Sequence, residues 1–241
     1  MKLLFENWRE YLQEENTFEE LEEVFGLPKG GWGKGDIENR EPSQYDEAAN
    51  EAWEYLQRYS GDISVAAKQQ NIPPSLVMGI LIDEYIRMYP RAVGDLVGYF
   101  GFGNTSMGIG QTKGETAKKI SKKGFYVPPG KSKDDISNMK LGKLQRLISK
   151  DDIVGINYTA AYIRYMKDLW GKDVWAEIPE EEKNAVLMTL YSHPSGENSR
   201  RPGEEAWKEK GAPKSSERGR RAAKAGKLAA TSLGLSERSK K

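Results

Sequence analysis

The chain has 241 residues, 30% charged and 37% apolar, with a formal net charge of +1. That allows one large domain or a core domain with appendages, and no apolar run is long enough to cross a bilayer. There is no cysteine and one histidine, His193, which excludes disulfides, thiol nucleophiles, thiolate metal sites, and the zinc and Cys–His enzymes that attack wall peptides.

No metal or other cofactor is expected, and no nucleophile-elbow pattern supports a Ser–His–Asp site on His193. If the chain cleaves a polymer, the chemistry would therefore fall to carboxylates. The charge is unevenly spread: residues 1–60 hold 15 acids and 6 bases, and from Arg200 onward there are 13 bases and 5 acids. An acidic head and a basic tail flank a near-neutral centre. The division expected is an acidic helical appendage and linker over 1–43, a core domain over 44–199, and a basic tail, partly helical or disordered, over 200–241.

The opening, MKLLFENWREYLQEE, has an apolar patch of three residues followed at once by acids. It is not expected to act as a secretory signal, and the expected location is the cytoplasm of the producing cell. Leu4, Phe5, Trp8, Tyr11 and Leu12 recur at helical spacing over 3–14. Thr17 with Glu20 offers a capping box for a second short helix, which Gly26 ends. Residues 27–43 read as a linker, in which Trp32 suits either sugar stacking or pinning the loop to the core. A helix is expected over 45–58 with Ala52, Trp53, Tyr55 and Leu56 on its buried face. Asp62 is expected to cap a shorter helix, ISVAAKQQ, that hands over at Asn71.

Residues 73–117 organise the rest. Pro73-Pro74 start a helix with Leu76, Val77, Met78, Ile80, Leu81 and Ile82 on nearly every side, and a helix apolar all round is a buried one. Helical neighbours lie three and four residues apart, so Glu84 shares a face with Val77, Ile80, Leu81 and Met88, while Asp83 faces Arg87. Asp83 reads as half of a surface ion pair and Glu84 as a carboxyl pressed against hydrocarbon. Desolvation raises a carboxyl pKa, which is what a general acid needs; the alternative is a carboxyl at the rim of a helix that has surfaced. Glycines at 94, 98, 101, 103, 108 and 110 follow and suit tight turns and close approach to a ligand. Ser106-Met107-Gly108-Ile109-Gly110-Gln111 then leads through Thr116-Ala117 into a new helix.

This stretch resembles the lytic transglycosylase and lysozyme-like superfamily. There a catalytic Glu near the end of a buried helix is paired with a Ser-x-Gly-hydrophobic-x-Gln segment and a Thr-Ala helix start. Glu84 falls on the acid, and Ser106, Gly108, Ile109, Gln111, Thr116 and Ala117 on the segment. The resemblance covers residues 60–195 and implies a lysozyme-like helical domain. The opening also resembles leader segments of tailed-phage and marine viral proteins, which extends the expected location to a phage particle.

Beyond the glycines, a short helix is expected over 114–122 and a polar surface loop over 123–139. Leu141, Leu144, Leu147 and Ile148 mark a small helix. Asp151 or Asp152 caps a longer one over 153–170, with Ile153, Ile156, Ala160, Ile163 and Leu169 inward. Gly155-Ile156-Asn157 and Ala161-Tyr162-Ile163 are similar to the helix that follows the glutamine segment in the superfamily. Pro179 starts a helix over 180–191, and the resemblance makes Tyr191 the ring lining the cleft beside the acid. Residues 216–233 form a candidate basic helix with Leu228 and Leu233 as meagre anchors, expected to be solvated. Its Arg and Lys clusters suit polyanions.

The fold expected is all-α with at most a minimal β element in the 94–112 loop. The activity implied is cleavage of the MurNAc–GlcNAc β-1,4 bond in peptidoglycan, with Glu84 as general acid and base and Ser106, Gly108, Ile109, Gln111 and Tyr191 binding substrate. If the outcome is hydrolysis, a second acid must guide water, and Asp95 is the candidate. A second reading is a lysozyme-like virion protein without turnover, its head and tail contacting particle proteins or DNA.

Overall fold

In the computed structural model, the residues described are 51–87, 106–107, 110, 112–192 and 212–235, all within the compact unit Ala48–Lys241. The helices expected over 3–14 and 17–25, the linker with Trp32, and His193 lie outside them. The described part is mostly helical, as the periodicities predict.

Residues 51–58 (α1) are helical, with Ala52, Trp53, Tyr55 and Leu56 buried. Helix α2 spans Ser60–Gln69; Asp62 lies in its first turn rather than at the cap, which is Tyr59. The chain leaves α2 through Asn71 at φ 52°, a left-handed conformation asparagine tolerates better than most residues. The central helix, α3, spans Pro74–Arg87. Leu76, Val77, Met78, Ile80, Leu81 and Ile82 are all buried, each contributing about 1.5–3 kcal/mol if transferred fully from water.

A two-residue antiparallel ladder joins β1, Ser106–Met107, to β2, Thr112–Lys113, with Ser106 opposite Lys113 and Met107 opposite Thr112. This is where the minimal β element is expected. Helix α4, Gly114–Lys123, follows at once and ends at Gly124 with φ 84°. The polar stretch 123–139 is not all loop. Helix α5, Lys133–Asn138, is set by a capping box in which Ser132 and Asp135 satisfy each other's backbone N–H groups at 3.0 and 2.8 Å. Its single apolar residue, Ile136, plugs a cluster of Ala117, Ile120, Leu144, Ile148, Val154, Tyr158 and Ala161.

That cluster is closed by α6, Leu141–Lys150, and by α7, Asp152–Leu169, which Asp151 caps through Val154 N–H at 3.1 Å. Ile156, Ala160 and Ile163 face inward as expected, but Ile153 is 46% exposed. It points to the outer side of the first turn, whereas its neighbour Val154 is buried in the cluster. Helix α8 spans Gly171–Glu177, and a 3-10 turn over Glu180–Glu182 leads from Pro179 into α9, Lys183–Ser192.

The last helix, α10, spans Glu217–Ser232 and corrects an expectation. Instead of a solvated tail, it lies along α3 and α9 as their most extensive neighbour. Its buried face is made by alanines: Leu228 is 38% exposed and Leu233 half-buried, whereas Ala222, Ala225, Ala229 and Ala230 are buried. Glycines let the backbones touch. A Cβ on Gly79 would strike the Ala222 carbonyl and the Met188 methyl, and one on Gly226 would strike the Ser75 carbonyl. Small side chains at three- and four-residue spacing thus make a seam whose strength lies in close approach rather than in bulk. No helix among the described residues is long and apolar enough to cross a membrane.

Candidate active site

The end of α3 carries both acids into the interior. Glu84 is 7% exposed and Asp83 6%, so Asp83 is not the surface residue its spacing suggests. The face it occupies is covered by α10, which presents Arg218, itself 5% exposed. Arg218 Nε donates to both Asp83 oxygens at 3.0 Å, and Nη2 donates to Asp83 Oδ2 as well. The same Nη2 donates to Glu84 Oε1 at 3.2 Å. Burial opposes the charge of Arg218, but Asp83 and then Glu84 outweigh it and hold the guanidinium above its ordinary range. With both oxygens engaged by one arginine, Asp83 is poorly placed to guide a water.

Tyr191, near the end of α9, is hydrogen-bonded to the hairpin. Its buried hydroxyl donates to the Gly110 carbonyl at 2.5 Å and lies 3.4 Å from Thr112 Oγ1 and 3.5 Å from Thr159 Oγ1. Burial pushes the phenol above its ordinary value; the Thr112 and Thr159 hydroxyls pull it back, and the charge of Glu84 adds to the rise. Gly110 is wedged in place. A Cβ there would collide with Thr159 Oγ1 and lie 3.1 Å from the Tyr191 hydroxyl, so only glycine lets the turn reach both α7 and α9. Thr159 is itself fixed, donating to the Gly155 carbonyl at 3.0 Å. Behind Tyr191, the partly buried Tyr162 ring packs edge-on at 5.1 Å.

Tyr85, directly after the acid, does not join the site. Its hydroxyl donates to Glu51 Oε2 at 2.9 Å and ties α3 to α1. Ser106 stands in the ladder opposite Lys113. Gly108, Ile109, Gln111 and Asp95 lie outside the described residues. Of the residues singled out in the sequence, Glu84 is thus held by Arg218 at the end of α3, and Tyr191 is held by Gly110 in the hairpin that carries Ser106. Arg218, Thr112, Thr159 and Gly110 complete the arrangement. Gly110 stood in plain view inside the glycine segment, but Arg218 was one base among 13 from Arg200 onward, with no local pattern to set it apart.

Chemically, the end of α3 offers two buried carboxyls, of which Glu84 has an oxygen anchored by one charge-assisted hydrogen bond from Arg218. Such a group can give a proton to a leaving oxygen and take one back. Against this geometry, no protein-family model, no curated protein and no solved structure matches the chain.

Proposed function

We propose that the chain is a peptidoglycan-cleaving glycosidase of the lytic transglycosylase type, acting on the MurNAc–GlcNAc β-1,4 bond with Glu84 as general acid and base. The observation that carries this reading is the buried Glu84 carboxyl at the end of α3, with one oxygen held by Arg218. In the reaction, Glu84 gives its proton to the glycosidic oxygen as the bond to the muramyl C1 breaks, releasing the GlcNAc 4-hydroxyl. The resulting carboxylate then takes the proton of the muramyl C6 hydroxyl as that oxygen bonds to C1, closing a 1,6-anhydro ring. The acid is regenerated and no second carboxylate is required. Ser106, Gly108, Ile109 and Gln111 would hold the muramyl residue, and Tyr191 would keep the turn in register.

The test is turnover of purified sacculi by wild type and Glu84→Gln, with products separated by mass. Anhydro-muropeptides are expected from wild type, and the variant should lose about 10²–10⁴-fold in rate, the usual share of general acid–base catalysis. Reducing-end products instead would mark a hydrolase, with Asp95 as the water-guiding acid.

One observation favours a second reading, a lysozyme-like virion-associated protein without turnover. The Asp83–Arg218–Glu84 contacts clamp α3 to α10 as a purely structural triad would. Under that reading Glu84→Gln and wild type leave sacculi equally intact.

A further inference from the structure

Resting on the glycosidase reading, we infer that Arg218 and Asp83 form a charge-balanced positioning pair for Glu84. Arg218 fixes one oxygen of the acid, and Asp83 cancels the guanidinium charge so that Glu84 still carries the proton it must donate. The geometry is unequal in the sense this needs. Asp83 takes Arg218 Nε on both of its oxygens at 3.0 Å and Nη2 besides. From Arg218, Glu84 takes one 3.2 Å hydrogen bond, through Nη2.

The cation is thus mostly committed to Asp83. All three side chains are buried, so solvent and salt screen their interaction little. An unbalanced guanidinium this close would favour the Glu84 carboxylate strongly, since an opposite charge within about 4–6 Å typically lowers a carboxyl by ~1–3 pH units. That would leave the acid without its proton at neutral pH. Among the described residues, the charged groups that face Glu84 include Asp83 on its own helix and Arg218 on α10. The Tyr191 phenol on α9 is kept neutral by burial and adds no charge.

The experiment uses the full chain and three variants: Asp83→Asn, Arg218→Gln and the charge-balanced double. The pH profile of kcat/KM on purified sacculi is measured alongside the side-chain carboxyl ¹³C titration of Glu84. Asp83→Asn unbalances the cation, so the alkaline limb of the profile should move to lower pH, by roughly one to three pH units. Arg218→Gln leaves Glu84 facing a bare Asp83 carboxylate, so the limb should move to higher pH. The double variant should return close to wild type. Either single variant that folds, checked by circular dichroism, is decisive through the sign of its displacement. Loss of activity in all three with the limb unmoved would reduce the pair to a clamp and overturn the inference. If wild type does not cleave sacculi, the glycosidase reading fails. The Glu84 resonance then decides the charge balance alone, and a titration unchanged in Asp83→Asn overturns it.

Discussion

A single methyl group at two glycines tests the seam that holds α10 in place. In Gly79→Ala the new Cβ meets the Met188 methyl, which can rotate away, and the Ala222 backbone carbonyl, which cannot. The helices must part or shift, and overpacking of this kind costs about 1–3 kcal/mol. Alanine returns up to ~1 kcal/mol through helix propensity. Since the immovable partner is backbone, the clash should win, with a net loss of about 1–2 kcal/mol. For a chain of this size that lowers Tm by roughly 2–8 °C. Gly61, in the first turn of α2, is the control: nothing lies within 4 Å of its Cβ position. Gly61→Ala should keep the propensity gain and be stabilised by a few tenths to ~1 kcal/mol. Thermal and urea unfolding of both variants provide the comparison. Equal stabilisation of the two would mean that α10 does not lie against α3 at backbone distance, and with it the burial of Arg218 would be lost.

Two further outcomes follow from the Tyr191 site and the buried phenols. Tyr191→Phe removes the donor to the Gly110 carbonyl and should cost about 1–3 kcal/mol in urea unfolding, since it leaves a buried acceptor unpaired; no change would mean that the hairpin is held by other contacts. Burial pushes the Tyr158 phenol from 10.0 up to about 12 and raises Tyr126 and Tyr191 further. Between pH 10 and about 12 the unfolded chain has released the Tyr158 proton and the folded one has not. The stability it contributes is therefore full below pH 10 and lost as pH rises through about 12. Absorbance at the phenolate band should lag behind exposed tyrosines and then rise together with loss of helix.

What the sequence discloses depends on whether the controlling contact is local. The all-round apolar pattern of residues 76–82 places α3 at the centre without further information, because a helix with no polar stripe has nowhere else to go. Gly110 and Tyr191 are legible as a constrained turn and a helix-closing ring, although not as partners, since 81 residues separate them. Asp83 is misread for the opposite reason: the spacing to Arg87 supplies a local partner, while the actual one stands 135 positions away. Helix α10 is expected as a helix, but its packing escapes notice because its contact face is made of alanine and glycine. Apolar periodicity gives such residues little weight, although close helix packing favours them. Helix α5 is announced by Ser132 and Asp135 alone, a capping box with one apolar residue behind it.

The triad itself bears on the choice between an enzyme and a scaffold. Buried ion pairs are poor sources of stability: replacing all partners by apolar side chains of similar volume is often neutral or stabilising, whereas removing one partner costs about 3–5 kcal/mol. The seam of Gly79, Ala222 and Gly226 already provides α3 and α10 with a close-packed interface. A protein that needed only to hold these helices together would have little use for a buried ion pair and a further buried carboxyl. Arg218→Met alone should therefore lose about 3–5 kcal/mol, while Asp83→Leu, Glu84→Met and Arg218→Met combined should unfold within ~1 kcal/mol of wild type or above it. Urea unfolding read by circular dichroism makes the comparison. Recovery in the triple variant would place the reason for the charges in chemistry rather than in the fold. A triple variant as unstable as the single one would show that the ions hold the helices, and the scaffold reading would then account for Glu84 without any substrate.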